Sequence, residues 1–283
     1  MSDELNFRVR ADFSRARFKA FLNRAFAAIS GHPTTLLSYD AIKENLHIGG
    51  PIYRGVHTVR VDQIVGSLNR YQEFDRAFLP AADQLAPRWQ NVDRAFYKDV
   101  SLPPVVLYKV GQVYFVVDGH HRVSVAREQG QEFIEAEVRE CATKVNITPD
   151  LKTEDLKILG EKVRFLERTR LDDLRPKAKI RLTVPDGFDR MLEHIAVHRY
   201  FMGLDFKRDI SDEEAVTHWY DTVYLPIVKV IRQSKILEDF HGKTEGDLYL
   251  WVLDHQHYLA EAEGESLRPP EEAARKFIAK KED

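Results

Sequence analysis

The stretch Val113–Gly130 constrains this chain more than any other. An apolar run, Val113-Tyr114-Phe115-Val116-Val117, leads into Asp118-Gly119-His120-His121-Arg122 and then Val123-Ser124-Val125-Ala126-Arg127-Glu128-Gln129-Gly130. The pattern predicts a buried strand, a tight glycine turn and a helix closed by a C-terminal Gly. A helix that opens at such a turn presents unpaired N–H groups and a partial positive charge. Two imidazoles and a guanidinium add to that charge. Three basic donors beside a glycine exceed what a helix cap requires, so the pentapeptide reads as an anion site suited to phosphate.

Composition limits what the rest can be. A chain of 283 residues with 43% hydrophobic content can bury a sizeable core and is expected to form more than one domain. The net charge of −3 gives no global basic field for nucleic acid. No apolar run approaches the roughly 18–20 residues of a membrane span, and no signal peptide is read at the N-terminus. A single cysteine, Cys141, excludes an internal disulfide and fits a reducing cytoplasm. A cytoplasmic protein with no membrane partner is therefore expected. Residues 1–60 carry nine Lys/Arg against five Asp/Glu, 61–142 nine against twelve, and the remainder twenty-four against twenty-eight. Any contact with DNA is thus to be sought in the first segment.

From about Asp12 to Ser30 the spacing is helical, with Phe18, Phe21, Leu22, Ala25, Phe26 and Ile29 on one apolar face and Arg15, Arg17, Lys19 and Arg24 mostly elsewhere. That face is expected to pack on the body; a membrane-surface helix and a DNA-contacting arm are the other readings. Gly31-His32-Pro33 stops the helix, a second short helix spans about Tyr39 to Leu46, and Gly49-Gly50-Pro51 marks a boundary. Strands are expected at about 56–61, 104–109, 112–118 and 132–138, with loop and helix between Phe74 and Tyr97. Three domains follow: a helical arm over 1–50, a mixed-sheet domain over 51–142 and a mostly helical domain over 143–283.

In the last domain Thr153–Thr169 reads as a helix and Ala178–Val184 as a strand ended by Pro185. Helices follow at about 187–202, 211–239, 244–263 and 270–280. Ser211-Asp212-Glu213-Glu214 and Thr244-Glu245-Gly246-Asp247 read as helix-starting capping sequences, and Pro226 should kink or divide the long helix near Tyr224. Glu193-His194 with His198 puts two imidazoles on one helical face, but no cysteine completes a zinc set, so solvated or core-satisfied histidines are expected. The Tyr/Trp-rich helices 216–225 and 248–258 suit either a core or an interface with a second copy, compatible with a homodimer.

The flanking residues carry a family resemblance. Thr58-Val59-Arg60-Val61-Asp62-Gln63-Ile64-Val65, Ser67-Leu68-Asn69-Arg70-Tyr71-Gln72-Glu73, Leu102-Pro103-Pro104-Val105-Val106-Leu107-Tyr108 and the turn at Asp118–Arg122 resemble, in that order, a ParB/sulfiredoxin-type domain from about Val56 to Val138. The run Asp247-Leu248-Tyr249-Leu250-Trp251-Val252 resembles an uncharacterised helical region found beside such domains in bacteria. The resemblance implies an α+β fold in which the turn binds a nucleotide triphosphate or diphosphate, ATP or CTP, with Mg²⁺. On it, Gly119, His120, His121, Arg122, Arg70 and Ser124 are the nucleotide-binding candidates, Glu73 and Asp118 the catalytic candidates, and Asp118 the Mg²⁺ ligand.

Sulfiredoxin chemistry needs a thiolate in the turn, where this chain has His120; Cys141 lies far along the sequence. ParB-type turns carry Glu and Arg where His120 and His121 stand, while Arg122 is retained. Free-serine kinases of this fold are similar in their Asp-Gly-His turn, paired with a catalytic Glu in the loop after the first strand, where Glu73 lies. Two classes remain. The preferred one, because the domain boundary resembles ParB-like proteins over more residues, is an NTP-binding, DNA-associated transcriptional regulator; acidic post-domain helices with no helix-turn-helix count against it. The other is a nucleotide-dependent phosphotransferase or NTP hydrolase with Glu73 as base. A nuclease would need a carboxylate cluster from Asp62, Glu73, Asp75 and Asp118.

Overall fold

Alternating burial along short strands builds a mixed sheet in the first half of the chain. The computed structural model describes residues 2–30, 35–263 and 268–282. The chain divides into two units, Met1–Leu156 and Lys157–Asp283. The first contains α1 (Ser2–Ser30), β1 (Leu37–Ser38), α2 (Tyr39–Leu46), β2 (Ile52–Arg60), β3 (Ile64–Ser67), α3 (Ala86–Tyr97), β4 (Val105–Val110), β5 (Val113–Asp118), α4 (His120–Glu128) and β6 (Phe133–Cys141). The sheet order is β1-β3-β5-β4-β6-β2. Pairs β1/β3, β3/β5 and β4/β6 are parallel, and β5/β4 and β6/β2 antiparallel. An α+β fold with a small mixed sheet, an N-terminal helix and a helical C-terminal part is thus what the chain forms.

The four expected strands correspond to β2, β4, β5 and β6. β1 and β3 are additions, two and four residues long, too short to show a period. They insert beside β5 because Gly66 lets three backbones close up: a Cβ there would lie 2.4 Å from Phe115 Cδ1 and 2.5 Å from the Leu37 carbonyl oxygen. Residues after β6 stay with the first unit, where the Gln112 N–H donates to the Ile147 carbonyl at 3.0 Å and Val145, Ile147 and Leu151 are buried.

α1 overturns the expectation for its faces. Phe18, Phe21, Leu22 and Phe26 are exposed, and Val9, Phe13, Ala16 and Ala20 are the buried side. Phe13 meets the fully buried Trp89 edge to face at 5.5 Å, and the small Ala16 and Ala20 allow close approach. Basic residues on its flanks, about half exposed, also reach the sheet domain. Arg15 and Lys19 pair with Glu128 at 2.6 and 3.0 Å, and Arg17 with Asp83 at 2.8 Å. These cations hold α1 to the sheet domain, which removes them as an open DNA-contacting row. The stop Gly31-His32-Pro33 and the Ile29 side chain lie outside what is described.

The second unit is helical: α5 (Leu156–Thr169), which begins at the boundary, then α6 (Leu171–Leu174), α7 (Gly187–Phe206), α8 (Asp212–Trp219), α9 (Leu225–Ser234), α10 (Glu245–Glu263) and α11 (Pro270–Glu282). Trp219, Tyr220, Tyr224 and Tyr249 are buried in its core, which decides the core reading for those aromatics. Ala178–Val184 is not a strand. Its backbone is satisfied by side chains instead: the Thr183 N–H donates to Asp247 at 2.8 Å and the Thr244 hydroxyl to the Arg181 carbonyl at 2.6 Å. Asp247 and Thr244 also cap α10 reciprocally, and Ser211 caps α8. Ahead of Pro226 the helix widens into a π-turn at Tyr220–Tyr224, which absorbs the missing proline N–H. His194 bonds the Tyr249 hydroxyl at 3.2 Å and His198 bonds His218 at 2.8 Å. Among the described residues no three His, Cys, Asp or Glu gather as a metal set, and no helix is long and apolar enough to cross a membrane.

Candidate anion-binding site

The glycine of the motif is the N-cap of α4. Gly119 has φ +99°, and a Cβ there would meet Val105 Cγ1 at 2.6 Å, so both backbone and space demand glycine. The first helical bond runs from the Val123 N–H to the Gly119 carbonyl at 3.0 Å. The N–H groups of His120, His121 and Arg122 therefore precede the helical ladder and have no helical acceptor.

The two imidazoles sit under the loop that follows β3. His120 Nε2 shares a 2.7 Å hydrogen bond with the Ser67 hydroxyl, whose oxygen also accepts the Arg70 N–H at 3.0 Å. Phe74 stacks on His120 at 6.1 Å and meets His121 edge-on at 5.4 Å. Arg70 donates to Glu73 at 3.2 Å, both about a third exposed. The structure thus gathers His120, His121, Arg70 and Glu73 at one helix start, although Glu73 and the turn are 45 or more residues apart in the chain.

Arg122, Asp118 and Ser124 are placed otherwise. Arg122 donates to the carbonyls of Pro103 and Pro104 and, at 2.5 Å, to the Asp118 carboxylate. It works as a strut between the turn and the segment ahead of β4. Beside it, Val92, Phe96, Val100, Leu102 and Phe133 line a cavity of about 430 Å³. Asp118 is mostly exposed. Ser124 is fully buried and accepts from Trp89 Nε1 at 2.8 Å, behind the helix. The remaining carboxylates are scattered: Asp62 pairs with Arg60, and buried Asp75 accepts from the Ala77 and Leu79 N–H groups and from Asn23. No nuclease-like acidic cluster forms among the described residues.

Burial, with Arg70 nearby and the other imidazole adding, pushes the His120 pKa down to about 4; burial with Arg88 and Arg70 does the same to His121, also to about 4. Both rings are neutral at pH 7. His121 is 6% exposed, and its Nδ1 has no hydrogen-bond partner. Sequence reading missed Ser67, Phe74 and Arg88. Arg88 follows Pro87 at the start of α3, and only the fold carries it toward His121.

These depressed values predict a pH dependence. The unfolded chain takes up the imidazole protons near pH 6.5 and the folded one only near 4, so stability falls as pH drops through that window. Each imidazole contributes of order 1–3 kcal/mol to the fall. Asp93, raised to about 6 by burial, acts in the opposite sense over part of the window. Urea titrations at pH 7 and pH 5 should show the loss, and His121→Gln should reduce it. An equal pH slope in the variant would contradict the buried neutral imidazole.

A scan against protein-family models finds no match, and no curated protein matches the chain. Among solved structures the chain is similar to one described as a "Pnob8-like ParB-N domain", with 9% identity over 81% of each chain and a TM-score of 0.22. A superposition that loose transfers no residue's role.

Proposed function

We propose that the first unit binds the phosphates of a nucleotide at the start of α4. One observation carries the reading: His121, a buried imidazole at the positive end of a helix, has a ring nitrogen with no partner. A buried polar group left unpaired costs about 1–3 kcal/mol, and a ligand oxygen accepting from it would recover that. The unused N–H groups of the first turn, Arg70 and Arg88 point the same way, because each favours an anion. Phe74 roofs both imidazoles, so entry of a phosphate requires the loop after β3 to lift.

The cavity beside Arg122 extends the reading from phosphate to nucleotide. Its volume of about 430 Å³ suits a base, with apolar side chains for the ring faces and Asp99, Gln131 and Glu135 among the lining for its polar edge. Asp118 offers one exposed carboxylate, which fits a Mg²⁺ that arrives with the phosphates and keeps most of its water. ATP, ADP, CTP and GTP with Mg²⁺ are the ligands to test by thermal shift. At about a hundredfold excess over Kd, one of them should raise the first unit's Tm by about 5–10 °C. A shift no larger than that given by the matching nucleoside would sink the phosphate assignment.

Turnover is a second reading, favoured by the Arg70–Glu73 pair at the mouth of the site. A carboxylate there could take a hydroxyl proton while a phosphoryl group is held at the turn. Serine-dependent formation of phosphoserine and nucleoside diphosphate, lost in Glu73→Gln while binding persists, identifies a kinase, whereas release of free phosphate without an acceptor identifies a hydrolase. Binding without turnover identifies an NTP-responsive regulator, and DNA added to the same assay tests that association.

A further inference from the structure

We infer that the outward face of α1 is where a second copy of this chain docks. Phe7, Phe18, Phe21 and Phe26 are 76%, 61%, 61% and 68% exposed, with Leu22 between them at 37%. At 100° per residue, Phe7 and Phe18 are eleven positions and three turns apart, and Phe21, Leu22 and Phe26 fall beside Phe18. The five side chains form one stripe along a 29-residue helix. Soluble monomers rarely leave so continuous an apolar patch in water.

Area and charge choose the occupant. Four phenylalanines, each about two-thirds exposed, and Leu22 present roughly 600 Å² per chain. A symmetric pair would bury about 1,200 Å², the lower bound of a specific interface. Of the cations flanking the stripe, Arg15 and Lys19 are paired with Glu128 and Arg17 with Asp83, which leaves fewer free charges to repel a like copy.

The full chain should sediment as a dimer at about 50 µM and dissociate on dilution, and Phe18→Asp with Phe21→Asp should give a monomer at every concentration. Exposed positions tolerate the change, so the circular dichroism melt should stay within about 2 °C of the wild type. Phe201→Asp, at an exposed apolar site on α7, should leave the dimer intact. A wild type that stays monomeric overturns the inference. So does a dimer that survives the α1 pair but not Phe201→Asp, or a monomer that co-sediments with phosphatidylserine vesicles.

Discussion

Gly66→Ala is expected to unfold or nearly unfold the first unit. Overpacking a core ordinarily costs about 1–3 kcal/mol because side chains can shift. Here two of the nearest atoms cannot: the added Cβ meets the buried Phe115 ring at 2.4 Å and the Leu37 backbone oxygen at 2.5 Å. Relief requires β1 or β5 to move away from β3, which breaks a parallel pairing. A loss of about 3 kcal/mol or more follows, a large part of the 5–15 kcal/mol that typically holds a domain together. The consequence reaches the site, since the next residue, Ser67, is the partner of His120. Gly50→Ala, where a Cβ would meet nothing within 4 Å, is the control and should be neutral. Urea denaturation of the three proteins measures both effects, and a loss under 1 kcal/mol for Gly66→Ala would contradict the packing described.

Arg127→Leu carries the second large effect. From the last turn of α4 its guanidinium donates to the carbonyls of Val61 at 2.9 Å, Ile64 at 2.6 Å and Arg76 at 3.2 Å, and it lies 5.1 Å over the Phe78 ring. Burial pulls its pKa down from the usual arginine range, with Asp75 and Asp62 opposing the shift. The charge is held by three backbone oxygens, of which the Val61 carbonyl also accepts the Ile64 N–H. Losing charge-assisted bonds in a buried place costs about 3–5 kcal/mol in all. Lysine should restore only part, because a point charge cannot reach three carbonyls in the fork geometry of arginine. Equilibrium denaturation of Arg127→Leu within 1 kcal/mol of wild type would show that these bonds are not structural. The residue also pins the chain on either side of the β3 loop, so its loss should loosen the roof over His120 and His121.

The site's spine was legible in sequence and its walls were not. A continuous apolar run, a glycine and a helix-forming segment are local signals, and β5, Gly119 and α4 follow them closely. The helix at Tyr39–Leu46 and the caps at Ser211 and Thr244 were readable for the same reason. What pairs across the chain left no such trace. Ser67 and Arg88 reach the imidazoles only through β3 and α3, and Ser124, placed among the ligand candidates, spends its hydroxyl on Trp89 35 residues away. α1 shows the limit most clearly. Periodicity identifies an apolar stripe, but the side that packs inward carries Val9, Phe13, Ala16 and Ala20, and the Trp89 that receives Phe13 lies far along the chain. The expected strand at Ala178–Val184 failed for a related reason: alternation makes a strand only where another strand is available, and Asp247 and Thr244 took its polar groups instead.

The most direct test of the central claim is calorimetric titration of the nucleotide that shifts Tm, with Mg²⁺, into wild type, His121→Ala and Arg70→Ala. Both variants should keep their fold and lose affinity by about tenfold or more, each removing a donor worth at least about 1.4 kcal/mol to a bound anion. Wild-type affinity in both, with folding intact, would mean that the helix start at Gly119 does not hold the phosphates.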